Sequence, residues 1–148
     1  MSLLTLTLQG ESWPLSRPRI RRLILASLDA NTESAVLTLR MVNQGEGRKL
    51  NQAYRGKDHA TNVLTFAYSQ APALEADLVF CLPVIQREAR QQRKTLEHHL
   101  MHLIVHGCLH ACGLDHEDDL EAESMEALEV QILKRFRISN PYGTIGTP

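Results

Sequence analysis

The stretch from Leu96 to Cys112 constrains the fold more than any other part of this chain, because it is a strongly apolar run with helical spacing that has to be covered. Leu96, Leu100, Leu103, Ile104 and Leu109 supply enough apolar surface to fix such a helix against a sheet. The same helix carries His106 and His110 on one face, one turn and about 6 Å apart along the axis. Gly113 tolerates a left-handed backbone, so it can end the helix, turn the chain and let His116 return to that face. Three imidazoles so placed suit one zinc ion with a fourth position open to water or substrate, the pattern of catalytic zinc; structural sites are closed by four ligands. Cys108 and Cys112 lie about 200° and 240° around the helix from His106 and are expected to pack as small apolar residues.

The histidine spacing matches the metzincin protease pattern H-E-x-x-H-x-x-G-x-x-H, with one difference. Gly107 stands where the protease has the Glu that serves as general base. Peptide hydrolysis would need another base, and Asp115 and Glu117 are candidates only by proximity.

At 148 residues the chain suits one domain, expected over 1–139, with 140–148 as a frayed tail. No run approaches the roughly 20 apolar residues of a membrane span, and the first ten residues do not resemble a signal peptide, so no membrane partner and a cytoplasmic location are expected. Three cysteines give no secreted disulfide framework. The net charge of -1 conceals an asymmetry: eight acids and no Lys or Arg lie between Asp115 and Glu129, leaving 16 bases against nine acids elsewhere. Arg17, Arg19, Arg21 and Arg22 form one basic cluster, Arg48, Lys49, Arg55 and Lys57 a second, and Arg87, Arg90, Arg93 and Lys94 a third. Such clusters can meet phosphates, although each is individually compatible with a solvated helix face, as is the acidic run.

Alternation at Leu4, Leu6 and Leu8 predicts a first strand, and Ser16 with Pro18 starts a helix running to about Ala30. Ala35 to Val42 predicts a second strand. A short helix through Leu50 and Tyr54 stops at Gly56, and Asn62 to Phe66 is extended. Tyr68 to Ala76, with Pro72, reads as a loop before a fourth strand from Asp77 to Leu82. Pro83 opens a further helix, and Leu120 to Phe136 gives the last. The expected class is α+β or α/β, a mixed sheet of about four strands packed with helices, with the strand order left open.

Four segments carry a resemblance to a known family: Leu50-Asn-Gln-Ala-Tyr-Arg-Gly-Lys-Asp58, Thr61-Asn-Val-Leu-Thr-Phe66, Asp77-Leu-Val-Phe-Cys81, and His102 to His110 continuing through Gly113-Leu-Asp-His116. Similarity continues through Glu123 to Glu129 and Asn140-Pro-Tyr142. In these the chain resembles the YbeY metal-dependent endoribonucleases that mature bacterial ribosomal RNA. The resemblance implies zinc held by His106, His110 and His116, Arg55 as the essential arginine, and single-stranded RNA as substrate. It also implies a setting in ribosomal particles, with maturation of the small-subunit rRNA 3′ end, ribosome quality control, and ribosomal or ribosome-associated proteins as partners. The chemistry agrees: a cation polarises a phosphoryl oxygen and acidifies water, and a planar guanidinium donates two parallel hydrogen bonds to phosphate. A metallopeptidase and a noncatalytic zinc-stabilised assembly factor are the alternatives. The chain departs from the commoner pattern at Asn62, where many relatives have Asp, and at Ala67, Ala76, Ala111, Cys112 and Leu114. His102, one turn before His106, is expected to be a buried, hydrogen-bonded partner; His98 and His99 are expected to be partly exposed.

Overall fold

The computed structural model describes residues 3–10, 13–114 and 118–142. Leu4 and Leu6 are buried while Leu3, Thr5 and Thr7 are exposed, and this period of two makes strand β1, Leu3–Gln9. Helix α1, Arg17–Ser27, begins at Ser16, whose hydroxyl accepts from the Arg19 N–H, with Pro18 in the first turn. It stops short of Ala30 because Asp29 makes a turn of its own, accepting the Asn31 N–H on its side chain and the Thr32 N–H on its carbonyl. Strand β2, Ser34–Val42, follows as expected. Helix α2, Gln44–Arg55, is capped by the Asn43 side chain and ended by Gly56 at φ 69°.

The expected loop from Tyr68 to Ala76 is instead mostly strand. Strand β3, Val63–Ser69, and strand β4, Ala73–Cys81, form an antiparallel pair with a register shift between Ala67 and Ser69. The extension follows from position: β4 lies inside the sheet, so Leu74 and Ala76 are buried and their backbone groups need partners on both sides. Helix α3, Leu82–Gln91, starts at Leu82, which was expected in the strand. Helix α4, Leu96–Ala111, and helix α5, Asp119–Arg135, complete the described chain. The sheet order is β1-β2-β4-β3, with β1, β2 and β4 parallel and β3 an antiparallel edge. This is a mixed four-stranded α+β sheet, as expected.

Helices α1, α4 and α5 build the main core on one sheet face, around Leu37, Leu78, Phe80, Leu100 and Ile104. On the other face α2 covers only the end carrying Val42, Leu64, Val79 and Cys81. Helix α4 touches α1, α3 and α5 as well as β3 and β4, so the apolar run is enclosed as its composition required. It lies unusually close to the sheet at Gly107, where an added Cβ would stand 2.2 Å from Leu78 Cδ2. At its end the Leu114 N–H bonds the Leu109 carbonyl, the Gly113 N–H bonds the His110 carbonyl, and Gly113 has φ +98°. This is the Schellman arrangement that turns the chain out of a helix. In the first basic cluster, Arg17 and Arg21 donate to the Leu6 and Leu4 carbonyls and so occupy the outer edge of β1.

Candidate active site

His106 and His110 sit half-buried on one face of α4, with ring centroids 5.5 Å apart, as their four-residue spacing dictates. Both line a cleft of about 640 Å³ whose other walls include Tyr54, Arg55, Asn62, Thr65 and Phe66. Arg55 comes from the last turn of α2, on the opposite sheet face, so the cleft wraps around the edge strand β3. His116, with Asp115 and Glu117, lies outside the described residues. The structure thus brings together His106, His110 and Arg55 and is silent on the third histidine.

Behind His106 is a buried carboxylate. Glu129 is fully buried on α5, with Oε2 3.3 Å from His106 Nδ1 and Oε1 2.6 Å from His102 Nε2. The Tyr142 hydroxyl donates to the same Oε1 at 2.8 Å and lies 3.1 Å from His102 Nε2. Burial pushes the Glu129 carboxyl upward, but the hydrogen bonds and charges of His102 and His106 outweigh it and bring it down to about 2. Burial holds His102 below the ordinary histidine value, against the opposing pull of its hydrogen bond to Glu129 and of that carboxylate's charge. Glu129 and His102 raise a second possibility: the donor atoms of His102, His106 and Glu129 all lie within 4.8 Å of one another and form a group able to hold a metal ion.

A parallel network runs from Asn62, in the cleft wall, to Glu88 and His99, which line the adjoining cavity. The Asn62 amide donates to both oxygens of Glu88, at 3.1 and 3.3 Å, and accepts the Val63 N–H on Oδ1, while Glu88 Oε1 lies 2.9 Å from His99 Nε2. An Asp at position 62 would set two carboxylates against each other here, so the amide is the residue that Glu88 accommodates. His98 is exposed, but His99 is only 3% exposed, contrary to expectation, because it turns inward to Glu88. Cys108 and Cys112 pack on the core side; burial raises both thiols above the ordinary value, and neither faces the cleft. Gly107 faces Leu78 and Val63, so the Glu of the peptidase pattern would be driven into the sheet.

The family model for endoribonuclease YbeY matches residues 11–137. The chain belongs to the YbeY family. The endoribonuclease YbeY of Polynucleobacter asymbioticus is 58% identical over 112 residues, covering 75% of this chain and 72% of that protein. That of Verminephrobacter eiseniae is 52% identical over 128 residues, covering 86% and 81%. The solution structure of TM1509 from Thermotoga maritima shares the fold, with a TM-score of 0.59 at 20% identity over 97% of this chain and 99% of that one.

The YbeY match therefore spans every wall of the cleft. Sequence reasoning nevertheless assigned Glu129 to a solvated acidic face. A signal was present: Glu129 falls in helical step with Met125, Ile132 and Leu133, the buried residues of α5, whereas Asp119, Glu121 and Glu123 are exposed. Tyr142 had no such signal. Fraying from Asn140 does not extend to it, since Asn140 Oδ1 accepts the Tyr142 N–H and the hydroxyl is anchored on Glu129; residues 143–148 lie outside the described residues.

Proposed function

We propose that this chain is a zinc-dependent endoribonuclease that cuts single-stranded RNA, with His106, His110 and His116 holding one ion and Arg55 binding the scissile phosphate. One observation carries the reading: Arg55, distant in sequence and on the other sheet face, shares a cleft with His106 and His110. The ion, when bound, supplies a Lewis acid for the phosphoryl oxygens. The chain's own residues fit that role. Glu129 beside Nδ1 of His106 commits the ring proton to that nitrogen and the lone pair to Nε2. Glu129 serves better as this orienting group than as a ligand, because its 2.6 Å approach to His102 is a charge-assisted hydrogen bond. Arg55, extending from the helix end into the cleft, presents a planar fork for a phosphate whose negative charge increases during cleavage.

Two features of the chain support RNA over a peptide as substrate. Its YbeY relatives are named endoribonucleases, and Gly107 leaves no room for the peptidase carboxylate. An unpaired strand is favoured because its backbone can bend into a cleft that a stiff duplex cannot enter. Maturation of ribosomal RNA at the small-subunit 3′ end, quality control of ribosomes, contact with ribosomal proteins and a cytoplasmic setting complete the proposal. No helix among the described residues is long and apolar enough to cross a membrane.

The test compares purified protein, its His110→Ala variant and chelator-treated protein on single-stranded RNA, duplex RNA and an unfolded polypeptide, after bound metal is measured. Single-strand cleavage should be lost in both treated samples. RNA cutting that persists in a folded, metal-free His110→Ala protein would overturn the assignment, and cleavage of the polypeptide alone would replace it with a peptidase.

A further inference from the structure

The sheet face that α2 leaves uncovered holds a second cavity, of about 300 Å³, next to the cleft. Its floor follows from the strand register. Thr38, Asp77 and Phe66 are Cα partners across β2, β4 and β3, and Gln9, Arg40 and Val79 form the next row across β1, β2 and β4. All six line the cavity. Tyr54 and Tyr68 stand at its sides, 67% and 61% exposed, and the Tyr54 ring meets Phe66 edge to face at 4.9 Å. Tyr54 and Phe66 also line the cleft with Arg55, His106 and His110, so the two cavities share a wall.

Tyr54 touches Phe66 and Tyr68 is tied to Asp77 by its hydroxyl, yet these contacts give neither ring a reason to remain mostly in solvent near Arg55, where each costs exposed apolar surface. Stacking on a planar ligand gives them one. The floor adds an edge-reading group. Asp77 Oδ2 accepts the Tyr68 hydroxyl at 2.8 Å, which fixes the carboxylate, and Oδ1 accepts no hydrogen bond among the described residues. An ionised carboxylate only accepts, so its partner must donate.

We propose that this cavity is a nucleobase subsite, which receives the base of a nucleotide flanking the scissile phosphate and prefers one with an exocyclic amino group. Tyr54, Phe66 and Tyr68 stack the base, and Asp77 accepts from its amino group, as acidic side chains do from cytosine N4. Uracil is disfavoured because its one edge donor, N3–H, lies between two carbonyl oxygens that a carboxylate repels, whereas an exocyclic amino group projects its N–H clear of the ring. This inference rests on the endoribonuclease reading and extends it to a base preference.

The test uses single-stranded oligoribonucleotides of only cytidine, only adenosine or only uridine, with kcat and KM measured separately. Wild-type protein should cleave the cytidine and adenosine strands with a lower KM than the uridine strand. Tyr54→Ala and Tyr68→Ala, both at exposed positions that the fold tolerates, should raise KM on the order of ten-fold or more, and Tyr54→Phe should restore it. Asp77→Asn, whose amide offers both a donor and an acceptor, should narrow the difference between cytidine and uridine. Equal KM for all three strands, unmoved by these variants while RNA is still cut, would overturn the subsite and leave the endoribonuclease reading standing. Failure of wild-type protein to cut any RNA would overturn both. Loss of RNA binding to an unfolded polypeptide that competes at wild-type but not Tyr68→Ala protein would assign the cavity to protein instead.

Discussion

Gly107→Ala is the substitution for which the structure gives opposing magnitudes. In an isolated helix, Ala is favoured over Gly by about 1 kcal/mol. Here the new methyl would lie 2.2 Å from Leu78 Cδ2, well inside van der Waals contact, and Leu78 is itself fully buried between the sheet and α4. Leu78 cannot swing into solvent, so either it leaves its rotamer or α4 lifts from the sheet. Overpacking of this kind costs about 1–3 kcal/mol, which exceeds the propensity gain over most of its range. The expected net loss is about 0–2 kcal/mol, or up to roughly 8 °C in Tm for a chain of this size. Urea unfolding of Gly107→Ala, Leu78→Ala and the double variant would measure it. Leu78→Ala alone should cost about 2–5 kcal/mol through its cavity. The double variant should be less destabilised than the two losses added, because the methyl then occupies vacated space. A Gly107→Ala protein more stable than the parent by the full helix-propensity gain, or strictly additive losses, would show that helix and sheet are not in contact at this residue.

Glu129→Gln should weaken metal binding about 10- to 100-fold while the fold persists, read by competition with a chelator; unchanged affinity would remove Glu129 from the support of His106. Arg55→Ala should keep its metal and lose RNA cleavage, with undiminished turnover removing Arg55 from the mechanism. Burial raises the Glu88 carboxyl, but hydrogen bonds with His99 and Asn62 outweigh it and hold it below the ordinary carboxylate value. Its contribution to stability is therefore present above that value and lost as pH falls through the lower, folded one. Glu88→Gln should flatten acid unfolding in that window, and an unaltered acid limb would show that Glu88 does not contribute. Cys108, fully buried with its thiol pushed well above the ordinary range, should resist a thiol reagent until the protein unfolds, whereas labelling of Cys108 at native rates would contradict its burial.

Local rules settled what local rules can reach. Ser16 and Gly56 mark helix ends because a hydroxyl and a left-handed glycine act within a few residues. The pairing of His106 with His110 follows from helical pitch alone, and the apolar run around them required burial wherever the chain placed it. Resemblance supplied Arg55, which pattern alone would have left among surface arginines. Tertiary structure decided everything that depends on distance across the chain. It ordered the strands, extended β4 back to Ala73 because a central strand needs two partners, and set Glu129 against His102 and His106, partners its helical step does not name. It also gave Gly107 its reason: in sequence that residue is only a missing Glu, whereas in the fold it is the point where α4 meets Leu78 and no side chain fits. Periodicity encodes which face of an element is buried, but not which residue of another element will lie against it, and the chemistry of this cleft depends on the second.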